Sequence, residues 1–212
     1  MQTPDIVITY DFICPWCWIG HAHLRQALAG SALPRTPTVS YRPYELNPTM
    51  PRTGMNRREY RSAKFGSWAH SQALDADVTL AGRRLGLAFH YERVERTPNT
   101  RLAHQLMLHA QAQGDAARSA ALCEAIFSAY FSQGRDIGEP AVLLSLAADA
   151  GLALPAVREL LGGRQGEQQV VDAEVQAQRD GVRSVPSLRI GAALISGAQP
   201  APVLAEALAR LR

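Results

Sequence analysis

The apolar positions of this chain change their spacing along its length, and the changes divide it into segments of different character. Ile6-Val7-Ile8-Thr9-Tyr10 is an unbroken β-prone run, the pattern of a strand buried on both faces, and predicts a strand over residues 5–12. A helix is expected over 15–30, ending near Gly30, then a second strand over about 38–46, closed by Asn47-Pro48. From about 55 to 180 nearly every segment has helical character, punctuated by Gly82, Gly86, Pro98, Gly114, Gly134, Gly151 and Gly162-Gly163. Within it, Leu102, Leu106 and His109 fall at helical spacing beside Ala103, Met107 and Ala110, which makes His109 a packing residue. That helix starts at Asn99 or Thr100, both good caps. Strand character returns at Ser184–Ile190, turns at Gly191 into Ala193–Ser196, and gives way to a final helix from about Pro202 to Leu211.

The order is therefore βαβ, a long helical block, then ββα. Between the first strand and first helix stands Cys14-Pro15-Trp16-Cys17, the spacing and context of a thioredoxin-type redox dithiol. With Cys14 as N-cap, Pro15 falls where its missing N–H costs nothing and its fixed φ is already helical. The N–H groups of Trp16 and Cys17 and the positive end of the helix dipole are then expected to point at the Cys14 sulfur. Placement of this kind lowers a thiol pKa from about 8.5 to between roughly 3.5 and 7.5. Cys14 is accordingly the expected nucleophile and leaving group, and Cys17, one turn in and shielded, the resolving thiol. The expected architecture is α/β, a thioredoxin-like fold with an inserted all-helical domain. Residues 1–50 and 181–212 form the thioredoxin-like domain, 51–180 the insertion, and a helix over about 164–180 leads back.

Other uses of two cysteines fit less well. A structural zinc site needs four ligands, and no second Cys-x-x-Cys exists; His21 is a candidate third ligand. Covalent haem attachment requires His after the second cysteine, where Trp18 stands. A static disulfide closing so short a loop removes little entropy from the unfolded chain. Cys123 reads as a buried small hydrophobe.

At 212 residues and 47% apolar composition, the chain suits one domain or a domain carrying a large insertion. No apolar run approaches the roughly 18 residues of a membrane span. The residues before Cys14 include Asp5 and Asp11 and lack a basic start, so a cytoplasmic location is expected, where a Cys-x-x-Cys is more often catalytic or metal-binding than structural. The net charge of +3 does not argue for nucleic acid, because all 22 basic residues except Lys64 are arginine, a genome-wide compositional bias. The one dense stretch, Arg52 to Lys64 with Arg57, Arg58 and Arg61, reads as a solvated helix face, with the holding of acidic substrate groups as the minority alternative.

A second motif is Val185-Pro186, a proline opening what otherwise reads as an edge strand. In a thioredoxin-type fold this position holds a cis-proline opposite the dithiol, leaving the backbone of Val185 open to pair with an extended substrate segment.

The segments Asp11–Gly20, Arg42–Pro48, Asn99-Thr100 with Ala103-His104, Ala129-Tyr130-Phe131 with Gly134 and Ile137, Gly181-Val182, Val185-Pro186 and Gly197-Ala198-Gln199 span nearly the whole chain. Through them the chain resembles the DsbA-like thioredoxin superfamily and, within it, the FrnE-like proteins. The resemblance implies thiol–disulfide oxidoreductase or isomerase activity, with Cys14 and Cys17 as the redox pair and Pro186 as the cis-proline. It departs at Ser184, where the family often has glycine. A neighbouring branch, the glutathione-dependent 2-hydroxychromene-2-carboxylate isomerases and kappa-class glutathione transferases, shares the fold and the Asn99-Thr100 region but typically carries serine at the first cysteine position. Expected substrate contacts are Val185, Pro186, Trp16, Asn99 and Thr100, with Trp18 in the core and Asp11 a candidate proton relay. No metal and no bound cofactor are expected, the Cys14–Cys17 disulfide itself being the redox group, with glutathione a candidate co-substrate. The expected partner is a disulfide-bearing protein or a low-molecular-weight thiol, met by a monomer or homodimer and not by a nucleic acid or a membrane. The rival readings are a glutathione-dependent isomerase and a non-catalytic module that only holds a ligand.

Overall fold

A computed structural model describes residues 4–164 and 166–211. Strand β1 (Ile6–Tyr10) is buried at every position because it has a neighbour on each side. It pairs in parallel with β2 (Val39–Pro43) and antiparallel with β5 (Ser187–Ile190), so that Ile8 lies between Tyr41 and Leu188. β6 (Ala193–Ser196) folds back on β5, giving the order β2-β1-β5-β6. The parallel pair needs a crossover, and α1 (Pro15–Ala29) supplies it, packing against α9 (Ala201–Leu208). The sequence between β2 and β5 contributes α2 (Arg57–Phe65), α3 (Trp68–Arg83), α4 (Arg101–Ala112), α5 (Ala116–Phe131), α6 (Pro140–Asp149), α7 (Leu154–Gly162) and α8 (Glu167–Arg179). This is a thioredoxin fold with a helical insertion; α4 and α8 pack on β2, and α1 touches α3 and α5.

An aromatic cluster joins the two parts. The Trp18 ring on α1 meets Phe89 edge-on at 4.9 Å and stacks with Phe127 and Phe131 of α5 at 6.3 and 5.9 Å. Its indole N–H donates to Glu124 at 2.8 Å, so the polar atom of this buried ring is satisfied. Tyr10 and Phe12 extend the cluster from β1 to Phe127 and His104.

Two expectations about the elements need correction. The strand expected over 38–46 ends at Pro43 because side chains take over its ladder: the Glu45 N–H donates to Glu174 at 2.5 Å and the Leu46 N–H to Asp11 at 2.8 Å. The region 55–180 is not all helical, for β3 (Met55–Asn56) pairs antiparallel with β4 (Arg96–Thr97), and Tyr91–Arg93 is a 3-10 turn. A two-residue strand carries no readable period. At α4 the cap is shared: Thr100 occupies the N-cap position, but it is the Asn99 side chain that accepts the Arg101 N–H, at 3.0 Å.

Candidate active site

Cys14 is the N-cap of α1, with extended φ and ψ of −91° and 107°, and Pro15 follows at the first helical position. The backbone hydrogen bonds differ from expectation in one respect. The Cys17 N–H donates to the Cys14 carbonyl at 3.0 Å, so it is engaged away from the sulfur. The partner of the Cys14 sulfur is instead the Val185 carbonyl, at 3.8 Å. The Val185–Pro186 peptide bond is cis. Pro186 approaches α1 at Gly20, where an added Cβ would stand 3.2 Å from the proline Cγ. That close approach holds the proline loop beside the dithiol. Ser184 needs no unusual backbone, since no residue but glycine has positive φ among the described residues.

The three cysteines are unpaired and differ in setting. Cys14 lines a cleft. Cys17 is 1% exposed, and burial first, then its hydrogen bond with Cys14, pushes its thiol well above the ordinary range. Burial pushes the Cys123 thiol up as well. Asp11 is fully buried, with one oxygen accepting the Leu46 N–H and the other 3.2 Å from His104 Nε2. Its charge is among the smaller influences that raise Cys17. Both ring nitrogens of His21 are engaged, one with Glu124 at 3.3 Å and one with the Tyr41 hydroxyl at 3.0 Å, leaving none to share a metal with the cysteines.

The cleft at Cys14 has a volume of about 410 Å³ and two dissimilar walls. One carries Ile13, Cys14, Trp16 and Leu46, of which Trp16 and Leu46 are exposed. The other, from α2 and α3, carries Arg57, Arg61, Lys64, Asp75 and Asp77 among aromatic rings. Here the expectation of a solvated face fails for Arg57 and Arg61, while Arg52, Arg58 and Lys64 are exposed as expected. Arg57 is 4% exposed and donates to Asp75 at 2.7 Å; Arg61 reaches the other Asp75 oxygen at 2.8 Å and the Ser71 hydroxyl at 2.6 Å. Their planes lie over rings, Arg57 above Tyr91 at 4.8 Å and Arg61 above Phe65 at 4.7 Å. Burial, assisted by Arg57, pulls the Arg61 pKa down against the opposing pull of Asp75.

Asn99 and Thr100 do not line this cleft. The Asn99 amide donates to the Met50 carbonyl at 2.7 Å and borders a separate hollow with Arg52, Arg101 and Glu139, while Thr100 is buried. A larger hollow of about 720 Å³ contains no cysteine and shares Arg57, Asp75 and Tyr91 with the cleft. Sequence reasoning missed Asp75, Tyr60 and Tyr91 as site residues; no signal short of helix pairing brings α3 to α2.

The strand order, the helix capped by Cys14 and the cis-proline beside it define a protein of the thioredoxin fold carrying inserted helices. The chain belongs to the DsbA-like thioredoxin family, whose model, described as the DSBA-like thioredoxin domain, matches residues 5–209. It is similar to a probable DsbA oxidoreductase of Streptomyces coelicolor, at 28% identity and a TM-score of 0.88, covering 99% of this chain and 92% of that one. A 2-hydroxychromene-2-carboxylate isomerase shares the fold at 16% identity and a TM-score of 0.72, covering 97% and 94%. So does the cytosolic disulfide reductase DsbM of Pseudomonas aeruginosa, solved with GSH, at 19% identity and a TM-score of 0.65, covering 97% and 99%.

Proposed function

We propose that the chain is a thiol–disulfide oxidoreductase working through Cys14 and Cys17. The observation that carries this is the asymmetry of the pair: both are buried, but Cys14, 6% exposed, lines a cleft beside the Val185 carbonyl, while Cys17, one turn into the helix, does not line it and has its thiol pushed up. In the reducing direction the Cys14 thiolate attacks one sulfur of a disulfide, whose S–S bond breaks and releases a thiolate. The resulting mixed disulfide is attacked by Cys17, which gives up its proton as the Cys14–Cys17 bond forms and the second thiolate leaves. Val185 offers backbone groups to an extended partner, and Trp16 and Leu46 give an apolar wall. DsbM, of the same fold, has been solved with GSH, which supports a low-molecular-weight thiol as partner or electron source. The presence of both sulfurs, where the isomerase branch typically has serine, favours exchange over glutathione-dependent isomerisation.

The test is equilibration across a series of reduced and oxidised glutathione, with the state of Cys14 and Cys17 read by mass spectrometry. A reversible two-electron transition is expected, and its midpoint gives the potential. If no internal disulfide forms at any ratio, the reading is wrong.

A further inference from the structure

We infer that the α2–α3 wall of the cleft is a carboxylate subsite, so that the substrate class is a small acidic thiol or its disulfide; this rests on the redox reading just given. Arg57 and Arg61 share the carboxylate of Asp75, and with exposed Lys64 and Asp77 on the same lining the cleft carries three cations against two carboxylates, an excess of one positive charge in a partly open space. Their hydrogen-bonding capacity is also unspent. Arg57 uses only Nη2, and Arg61 uses Nε and Nη2, so Nε and Nη1 of Arg57 and Nη1 of Arg61 find no acceptor among the described residues. A guanidinium carries five N–H donors in a planar fork that suits a carboxylate. The Tyr91 hydroxyl, an electrostatic neighbour of both arginines, is buried without a partner. A buried orphan hydroxyl of this kind calls for a ligand or water. At the outer part of the wall, exposed Lys64, bonded to the Tyr60 hydroxyl at 2.8 Å, adds a third cation.

The dimensions point to a small molecule. About 410 Å³ lies at the lower end of the range for small-ligand pockets. Cys14 lines the same cavity, so a disulfide whose sulfur meets Cys14 places its acidic tail against the arginines. The chemistry is the exchange already written. Two electrons pass from the dithiol to the probe, one S–S bond breaks in the probe and one forms in the protein, and two thiols leave. The subsite changes only which disulfide arrives and stays.

Three symmetric disulfides of similar size test this: dithiodipropionate (dianionic), hydroxyethyl disulfide (neutral) and cystamine (dicationic). The second-order rate of oxidation of the reduced protein by each is divided by the rate with free dithiothreitol, which removes intrinsic reactivity. The normalised anion-to-neutral ratio is expected to be about tenfold or more, and to fall as salt is added. It should drop toward unity in Arg61→Gln and partway in Lys64→Gln, the latter an exposed position that spares the fold. A wild-type ratio near unity with a fast neutral probe, or a preference for cystamine, overturns the subsite while the redox reading stands. If none of the three oxidises the dithiol, the redox reading fails and the subsite falls with it.

Discussion

The two walls of the Cys14 cleft are built by opposite means. The sheet-side wall is mostly short-range: Ile13, Cys14 and Trp16 lie within four residues at one helix start. Leu46, held by Asp11, and the proline loop beside the sulfur come from farther away, the loop brought alongside by the pairing of β1 with β5. The helical wall is long-range throughout. Arg57 and Arg61 of α2 meet Asp75 of α3, and Tyr91 arrives from the 3-10 turn beyond it. One wall has a thiol in apolar surroundings; the other has fixed charge and no nucleophile. On the proposed reading, reactivity belongs to the wall where a helix begins, and selection to the wall where two helices pack. These can change independently, which is how one fold can serve several chemistries.

The largest predicted effect isolates the sheet-side wall. Cys14→Ser replaces the attacking thiolate by a hydroxyl, and exchange with hydroxyethyl disulfide should fall on the order of 10³-fold or more. Cys17→Ser should retain the first attack and lose the second. Mass spectrometry should then find a mixed disulfide on Cys14 instead of an internal bond. Retained turnover in Cys14→Ser would place the chemistry elsewhere.

Next in size are changes to the packing that joins α1 to the inserted helices and α2 to α3. Trp18→Ala removes a ring stacked on Phe127 and Phe131 and leaves a cavity, at a cost of about 3–5 kcal/mol, seen as a loss of denaturation midpoint in urea with little change in slope. Asp75→Asn removes the carboxylate between two guanidiniums, and breaking a buried pair in this way costs about 3 kcal/mol. Its effect on selectivity runs the other way: with the counter-charge gone, the preference for an anionic disulfide should rise. Loss of stability together with loss of anion preference would mean that the triad only ties α2 to α3.

What could be read in advance follows the same division. The dithiol, the Pro15 position and the proline loop are specified by neighbours in sequence or by strand order, and both were legible. The arginines were visible as a dense run, but whether a helical arginine faces solvent depends on the helix beside it. Asp75 lies 18 residues beyond Arg57 on another element, with nothing in its spacing to announce the pair. Asn99 and Thr100 mark the other limit. A resemblance carried them as substrate contacts, whereas the Asn99 side chain is occupied with the Met50 carbonyl and the Arg101 N–H.

The smallest predicted effect lies at the end of β1 remote from the cysteines, where Asp5 ties the strand to the segment entering β2. Its carboxylate accepts two hydrogen bonds from Arg35, both at 2.7 Å, and the Thr38 N–H at 2.8 Å. Arg35 first, then Thr38, holds its pKa well below the usual carboxylate range. A depressed carboxyl contributes stability that is present above its unfolded value, about 3.9, and is lost as pH falls through the folded value. Glu45 and Glu174, raised by burial, act with the opposite sign and gain stability as they protonate. The difference between wild type and Asp5→Asn therefore isolates the effect where a single curve would not. Chemical denaturation from pH 5 down to pH 2 should show the wild type more stable at the upper end and the two proteins converging at the lower. At pH 7 the rate of Cys14 alkylation should be the same in both. If that rate moves with Asp5, the dithiol is coupled along the whole of β1, and the independence of the reactive wall from the rest of the fold is lost.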